Sequence, residues 1–293
     1  MVSRSNIFGK ALAVAGVAGV ITAGAAGAQA HQAHAAAGGV AAVTKLVPAS
    51  VAKAGVLTVA ADATYAPDEF VENGKVVGMD VDLANALGKA MGLKVTVKNV
   101  TFDDIIPSML GGRFIMGASS FTDTPAREQK VNFVDYANVG ESFYTKTTGG
   151  TKIGGIADIC GLTVSVESGT TEQTDASTQS AKCVKAGKKK VSVGVYPTQS
   201  GANLAVSSGH AQVGFADTPV ADYQVKQSHG AFKLVGKAYA PSPYGLAVTK
   251  DSKMAPAVKA ALLYLMKTGE YQKIFAKWGL KSIAIPASKV KLT

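Results

Sequence analysis

The sequence lacks the short motifs that mark common catalytic and metal sites. The folded part contains no GxSxG elbow, no GxxxxGK[S/T] loop and no GxGxxG, and the zinc-binding spacings CxxC, CxxH and HExxH are absent. Of only four histidines, His210 and His229 fall in polar loop contexts that are typical of surface histidines. Catalysis therefore has weak support, and the sequence predicts neither a metal nor a cofactor.

The N-terminal apolar run is too short to cross a membrane, which needs about 20 apolar residues. Arg4 and Lys10 precede this Gly/Ala-rich run, which extends from 11 to about 26 and closes on the small-x-small signature Ala28-Gln29-Ala30. We therefore predict a secretory signal peptide over residues 1–30, with an uncleaved anchor as the alternative. The mature protein would be secreted, in a periplasm or at the cell envelope, and residues 31–49 would form a flexible Ala/Gly-rich leader.

Cysteine is nearly absent as well. Cys160 and Cys183 are the two thiols of the chain. An even count in an exported protein favours one disulfide. Two buried thiols too far apart to pair remain the alternative, because a sequence does not give the Cα separation that a disulfide requires.

Charged residues are few, at 17%, and the excess is positive. The formal charge of +10 falls to +8 when Arg4 and Lys10 leave with the signal peptide. The positive charges are scattered, and no aromatic residues interleave with the one run, Lys188-Lys189-Lys190. This pattern is typical of a solvated surface and does not indicate a nucleic-acid partner.

The periodicity of the mature chain, about 260 residues, predicts an α/β fold long enough for two domains. Apolar, β-branched runs predict strands at 56–60, 94–100, 162–166, 191–195 and 213–216. Helical spacing follows most of them. One helix would begin at Asp80 or Asp82 and end at Gly92, another would run from Thr218-Pro219 to about Gln227, and the last helices begin near 254. Strand and helix alternate in two successive units, which indicates parallel crossovers and a cleft suited to a small ligand.

Three polar clusters follow predicted strands. They are residues 62–70, the stretch SSFTDTPAR at 119–127, and Gly169-Thr170-Thr171 together with Asp217. Open α/β sheets bind ligands at the carboxyl ends of their strands, so the shared placement of the three clusters favours a binding site.

These clusters contain the groups that an α-amino acid requires. The guanidinium of Arg127 fits a carboxylate, and backbone amides near Thr171 would add donors at a helix N-terminus. Asp217 would hold an ammonium group, and Tyr65 would cover the ligand.

Each of these residues also has an explanation that needs no ligand. Arg127 could pair with Asp123 or Glu128 on the surface, and Asp217 could cap the helix beginning at Pro219.

The chain resembles the bacterial extracellular solute-binding proteins of family 3, the polar amino-acid receptors of ABC importers. The resemblance covers roughly residues 50–280 and rests on the following stretches: LTVAADATYAPDEF, GKVVGMDVDLANALGKAMGLKV, FDDIIPSMLGGRF, SSFTDTPAREQKVNFVDY, GLTVSVESGTTEQT, VGFADTPVADY and TGEYQKIFAKWGL.

The resemblance implies a type II periplasmic-binding-protein fold, in which two α/β lobes joined by two crossing segments close around the ligand. Lobe one would comprise 50–142 and 243–280, lobe two 143–242, and 281–293 would be a C-terminal tail. It also implies that the protein captures a free polar amino acid, delivers it to a membrane permease, and acts as a monomer without a cofactor.

Carried over position by position, the resemblance places Arg127 on the ligand α-carboxylate and Asp217 on its α-ammonium group. The implied ligand-binding residues are Asp62, Tyr65, Ser119, Ser120, Thr122, Arg127, Thr170, Thr171 and Asp217. Pro197 and Gln199 lie in a region that often faces the cleft.

Two positions depart from the family pattern. Asp68 stands where an aromatic residue or Met is common, and Ile115 where the family usually carries Asp. Asp62 and Asp68 together indicate a ligand with a donor or cationic side chain, such as glutamine, arginine, lysine or histidine. The alternative function is a cleft enzyme on the same scaffold, with Glu167 or Glu172 as its carboxylate; a structural envelope protein without a ligand is a third.

Overall fold

The computed structural model describes residues 39–293. The predicted signal peptide and residues 31–38 of the predicted leader lie outside this range. Within it, no helix is both long and apolar enough to cross a membrane.

Eleven strands are present in the described range. They are β1 (Val56–Ala61), β2 (Thr64–Tyr65), β3 (Glu69–Glu72), β4 (Lys75–Val77), β5 (Lys94–Asn99), β6 (Met116–Gly117), β7 (Asn132–Lys146), β8 (Thr163–Glu167), β9 (Ser192–Tyr196), β10 (Val213–Asp217) and β11 (Phe232–Val248).

Ten α-helices lie before, between and after these strands in residues 39–293. They are α1 (Ala41–Thr44), α2 (Ala49–Ala54), α3 (Met79–Met91), α4 (Phe102–Leu110), α5 (Pro125–Glu128), α6 (Thr171–Lys185), α7 (Gln199–Ser208), α8 (Thr218–Gln227), α9 (Ala255–Thr268) and α10 (Glu270–Lys277). Short 3-10 helices occur at Ile156–Ile159, Lys281–Ile283 and Ala287–Lys289.

Eight strands form one sheet in the order β5-β1-β6-β11-β7-β10-β8-β9. Strand β1 pairs in parallel with β5 and β6, and β8 pairs in parallel with β9 and β10. We call β5, β1 and β6 the first sheet half and β10, β8 and β9 the second sheet half. The parallel pairing follows from the helical crossovers that the alternating sequence pattern predicts.

The two sheet halves are joined by the long antiparallel strands β7 and β11. Their pairing shifts register between Val235 and Tyr239 and again between Tyr239 and Ser242. On one side of this irregularity β11 pairs with β6, and on the other β7 pairs with β10. Both strands therefore run from one sheet half into the other, which puts a connection in the middle of the molecule.

The main apolar core lies under the first sheet half. Leu83 and Leu87 on the inner face of α3 pack with Leu262 of α9 and Tyr271 of α10. Gly92 ends α3 with φ +73°, a left-handed conformation that glycine adopts without strain. The last helices thus return to the strands that begin the chain, and a separate core with Phe143, Val164 and Phe215 supports the second half.

The predicted flexible leader is wrong from residue 40 onward. Val43 and Val47 are buried in the main core, and Val51 joins them from α2. The backbone N–H of Val40 donates to the carbonyl of Ala90 at the end of α3. Alanine and glycine made this segment look like a linker, but Val43 and Val47, together with Val51 just after it, supply enough apolar surface to hold it against the protein.

The last residues are also held by backbone contacts. The N–H of Asp135 donates to the carbonyl of Lys291, and Leu292 forms an isolated bridge with Val134. The hydroxyl of Thr293 donates to the Oδ2 of Asp123 at 3.1 Å. The C-terminal segment therefore lies along the start of β7, next to the 119–127 stretch.

The structure confirms the predicted disulfide between Cys160 and Cys183, whose Cα atoms are 5.6 Å apart. It joins the end of the Ile156–Ile159 3-10 helix to the last turn of α6. The bond closes a loop with a sequence separation of 23 residues.

Replacing both cysteines by alanine should lower the free energy of unfolding by about 3 kcal/mol, because the unfolded chain regains the entropy of this loop. Urea unfolding of the variant beside the wild type measures the loss. Reduced wild-type protein is the matched control and should unfold at the same urea concentration as the variant. An unchanged midpoint in both would contradict the prediction.

Candidate ligand-binding site

A narrow cavity lies between the two sheet halves. Its lining combines one arginine with three acidic residues, hydroxyls and two aromatic rings. The lining residues are Tyr65, Phe102, Ser120, Thr122, Arg127, Glu167, Thr170, Thr171, Glu172 and Asp217. Seven of these ten are predicted site residues, and Phe102, Glu167 and Glu172 are additional.

Arg127 bridges the cavity without forming an ion pair. Its Nη1 donates to the carbonyl of Thr122 at 2.7 Å and its Nη2 to the carbonyl of Gly169 at 3.0 Å, on the opposite side. The guanidinium carbon also lies 5.3 Å from the ring centre of Phe102 and 5.4 Å from that of Phe121. Burial lowers the pKa of Arg127, although nearby carboxylates act against this shift. The side chain is held in place, and its charge has no carboxylate in direct contact.

The local structure of SSFTDTPAR explains how Arg127 reaches the cavity. Thr124 begins the short helix α5 and its hydroxyl accepts from the N–H of Arg127 at 3.3 Å, while Pro125 takes the first helical position. The turn points Arg127 back toward the strand end. The cap of α5 is Thr124 and not Asp123. The Oδ2 of Asp123 instead accepts a hydrogen bond from the hydroxyl of Thr293.

The N-terminus of α6 opens at the cavity. Thr170 is the N-cap, and its hydroxyl accepts from the N–H of Gln173 at 3.2 Å and donates to the carbonyl of Glu167 at 2.8 Å. Thr171 follows, with its hydroxyl 3.4 Å from that of Thr122 across the cavity. The first-turn amides and the helix dipole favour a negative group at this position.

Asp217 is available for a ligand because its side chain does not cap α8. It is buried, and its Oδ2 accepts from the hydroxyl of Tyr65 at 2.9 Å. Burial raises the pKa of Asp217 to about 6, although the hydrogen bond from Tyr65 and the charge of Arg127 act in the opposite direction. An ammonium group beside Asp217 would compensate the cost of burying this carboxylate.

Glu167 and Glu172 are fully buried residues whose side chains line the same cavity. The Oε1 atom of each is buried without a hydrogen-bond partner. Burial raises the pKa of Glu167 to about 9, and burial with the neighbouring charges of Asp217 and Glu141 raises that of Glu172. Sequence reasoning considered both residues only as carboxylates for an enzyme and as solvent-facing groups. Both flank Ser168-Gly169-Thr170-Thr171 at the end of a predicted strand, and this position indicates that they belong to the site.

Asp62 and Ser119 lie behind the cavity wall. The Oδ1 of Asp62 accepts from the N–H and hydroxyl of Thr64, and its Oδ2 accepts from the N–H of Phe102 at 2.9 Å. Ser119 accepts from the N–H of Asp62 and donates to Glu69 at 2.9 Å. These two predicted site residues therefore hold the loops that form the wall.

Asp68 and Ile115, the two departures from the family pattern, do not line the cavity either. Asp68 is buried beside Glu69 and Asp80, and its Oδ2 accepts from the hydroxyl of Ser120 at 3.1 Å. Burial and neighbouring carboxylates raise the pKa of Asp68, which favours its neutral form. Ile115 packs against the main core, so local packing replaces an acidic anchor there.

Other parts of the described chain offer weaker sites. A larger open depression is lined by parts of α3, α9 and α10, but its charged residues Asp82 and Lys277 pair with each other at 2.6 Å, as do Glu270 and Lys273 at 3.8 Å. Among residues 39–293, no group of three or more His, Cys, Asp or Glu side chains is arranged to hold a metal ion. The cavity at Arg127 is therefore where the convergent polar groups occur.

Comparison with known proteins agrees with this geometry. Residues 57–281 match the model of the bacterial extracellular solute-binding proteins, family 3. The chain belongs to this family. It is 34% identical over 241 residues to the arginine-binding protein ArgT of Corynebacterium glutamicum, an alignment that covers 82% of this chain and 79% of that protein.

Solved structures of family relatives share the architecture. An ancestral arginine-binding protein bound to arginine superposes with a TM-score of 0.70 at 34% identity, covering 76% of this chain and 98% of its own. An ancestral amino acid-binding protein described as a precursor of cyclohexadienyl dehydratase has a TM-score of 0.68 at 31% identity, covering 78% and 97%. The predicted two-lobed periplasmic-binding-protein fold is confirmed, and this family 3 protein has a solute-binding role.

Proposed function

We propose that this solute-binding protein captures a cationic amino acid, with arginine as the first candidate, and delivers it to the membrane permease of an ABC importer. The observation that carries the proposal is a cavity lined by one guanidinium without an ion pair and by three buried carboxylates, two of them with unpartnered oxygens. The protein would act outside the cytoplasm as a monomer.

The α-carboxylate of the ligand would lie between Arg127 and the N-terminus of α6. A planar guanidinium can donate two parallel hydrogen bonds to a carboxylate, and the amides of the first helical turn add further donors. The α-ammonium group would then contact Asp217, whose buried carboxylate gains a cation. Each charged group of the amino-acid backbone would thus have a partner of opposite charge.

The charge balance of the cavity favours a cationic side chain. When ionised, Glu167, Glu172 and Asp217 carry three negative charges against the single positive charge of Arg127. A ligand with a net positive charge reduces this excess, whereas glutamate or aspartate would increase it. The names of relatives support the same class: both ArgT and the ancestral structure are described as arginine-binding.

Ligand binding would stabilise contacts that already cross the cavity. Tyr65 donates to Asp217, Arg127 to the carbonyl of Gly169, and the hydroxyl of Ser168 to Asp103 at 2.7 Å. A ligand that binds both sides favours the state in which these contacts form, and the permease would recognise that state. We place the lobe boundaries where β7 and β11 leave one sheet half for the other, near residues 142 and 243.

A thermal melting screen across the twenty amino acids tests the proposal. We expect arginine to raise the melting temperature most, because the charge balance of the cavity favours a cationic ligand. A ligand at 100-fold excess over its Kd adds about 2.7 kcal/mol of stability. Glutamate and aspartate are the matched controls and should have little effect. A flat screen would exclude the receptor function and favour a structural envelope protein.

Recovery of the ligand separates a receptor from the enzyme alternative. After prolonged incubation with the protein, a bound amino acid should be recovered unchanged, as detected by mass spectrometry. Glu172 is buried in the cavity, so it is the carboxylate to replace if conversion is found. Turnover that disappears in Glu172→Gln would establish the enzyme and exclude a receptor that only binds.

A further inference from the structure

We propose that Glu167 is the residue that selects the cationic side chain of the ligand. This inference rests on the proposed function and assigns the side-chain end of the same cavity. The unpartnered oxygen of Glu167 would accept hydrogen bonds from a guanidinium or ammonium group, while Arg127 and Asp217 hold the α-carboxylate and α-ammonium groups.

The position of Glu167 separates it from the groups at the other end. Glu167 is the last residue of β8, next to the outer strand β9, where it pairs with Tyr196. Asp217 ends β10, the neighbouring strand on the side of the molecular centre. Glu167 and Asp217 therefore enter the lining of the cavity from two adjacent strands, whose backbones are about 4.8 Å apart.

The surroundings of Glu167 favour binding of a cation. Its side chain is 2% exposed, and its Oε1 has no hydrogen-bond partner. The charged groups that act on it are Asp62 and Asp103, both acidic, and its polar neighbours are the hydroxyl of Thr64 and the backbone of Gln199. A buried carboxylate among other acids is costly unless a positive group pairs with it or it remains protonated.

Asp62 cannot take this role without losing its own contacts. Both of its oxygens accept hydrogen bonds from the protein, from Thr64 and from the N–H of Phe102. The sequence predicted that Asp62 and Asp68 would recognise the ligand side chain, but neither lines the cavity. Glu167 lines it, and its oxygen is free.

The protonation of Glu167 provides an independent readout. Burial raises its pKa to about 9, so the empty site holds this carboxyl group in its neutral form at pH 7. A cationic side chain stabilises the ionised form and should expel the proton. A neutral side chain of the same shape gives no such stabilisation and should leave the proton in place.

Calorimetric titration with arginine and with citrulline, its neutral urea analogue, tests the inference. The wild type should prefer arginine by at least about tenfold, because a hydrogen bond to a charged group is stronger than one between neutral groups. Glu167→Gln should lose about tenfold in arginine affinity and keep its citrulline affinity within about threefold. Asp217→Asn is the matched control, since it should weaken both ligands equally.

Proton release is measured with the same wild-type protein in buffers of different ionisation enthalpy at pH 7. Arginine should release about one proton more than citrulline, and Glu167→Gln should abolish this difference. The wild-type comparison remains decisive even if the variant does not fold.

Two results would overturn the assignment of Glu167: an unchanged preference for arginine in Glu167→Gln, or equal proton release by the two ligands in the wild type. Either leaves the receptor function standing. Absence of binding by any amino acid in the wild type would overturn the receptor function and this assignment together.

Discussion

Arg127→Ala should lower the affinity for arginine by roughly 3–5 kcal/mol while the protein remains folded. Arg127 is the cation of the cavity lining, and its removal leaves the ligand α-carboxylate without its bidentate partner. The substitution also removes the positive charge of Arg127 from the neighbourhood of Glu172 and Asp217, the carboxylates that act most strongly on it. These carboxylates would then repel the ligand α-carboxylate. The loss corresponds to two or more orders of magnitude in Kd.

The variant should still fold, because the side-chain hydrogen bonds of Arg127 are made to backbone carbonyls at the cavity. Its two acceptors are the carbonyls of Thr122 and Gly169. Neither carbonyl belongs to an α-helix or to a strand of the eight-stranded sheet. We expect a small change in the melting temperature of the unliganded variant.

Calorimetry measures the affinity, with Lys130→Ala as the matched control. Lys130 is an exposed cation three residues away and should leave binding unchanged. Arg127→Lys should recover only part of the affinity, because an ammonium group lacks the planar fork of a guanidinium. Wild-type affinity in Arg127→Ala would remove this residue from the site.

The unliganded protein should become less stable as the pH rises from about 4 to 7. Burial raises the pKa of Asp80 and of Asp217 to about 6, whereas an unfolded aspartate titrates near 3.9. The folded state therefore binds more protons than the unfolded state in this window, and the free energy of unfolding falls with increasing pH. A shift of about two units corresponds to roughly 3 kcal/mol for each group.

Arginine binding should show the opposite dependence. Asp217 must be ionised to hold the α-ammonium group, so affinity should fall as the pH drops below about 6. Binding of a cation by Glu167 also requires loss of a proton, which becomes easier at higher pH. Ligand should thus stabilise the protein most where the empty protein is weakest.

Urea unfolding at pH 4.5, 5.5 and 7 in 0.15 M salt, with and without arginine, measures both trends. Asp217→Asn should reduce the pH dependence of the unliganded protein, because the amide does not titrate while Asp80 still does. Asp251→Asn is the control, because Asp251 is exposed and its replacement should preserve the wild-type slope. Unliganded stability that increases from pH 4.5 to 7 would show that the buried carboxylates do not control it.

Local sequence patterns predicted most of the regular elements. The helix expected between Asp80 or Asp82 and Gly92 is α3, and the helix expected from Thr218-Pro219 to about Gln227 is α8. Both helices have start signals in the local sequence: α3 has acidic residues in its first turn, and α8 has a proline there. A glycine also marks the end of α3. The long strands β7 and β11 were not predicted, because their partners are each other across about 100 residues and their register is irregular.

The candidate site divides in the same way. Arg127 and Asp217 were predicted because ionisable side chains at strand ends are conspicuous in a sequence of low charge, and the structure brings both to one cavity. Asp62 also follows a predicted strand, so the sequence did not distinguish it from Arg127 and Asp217. Its carboxylate instead accepts three hydrogen bonds from its own loop and from Phe102, contacts between segments that no local pattern reveals.

The sequence by itself determined the α/β class, the family and the strand ends that carry polar groups. These depend on periodicity, motif and composition, which are local properties of the chain. Only the tertiary structure decided which carboxylates are buried and unpartnered, and on that basis we propose Glu167, in place of Asp62 and Asp68, for recognition of the ligand side chain. Burial and pairing depend on segments far apart in sequence, and the free energy of a carboxylate depends on both.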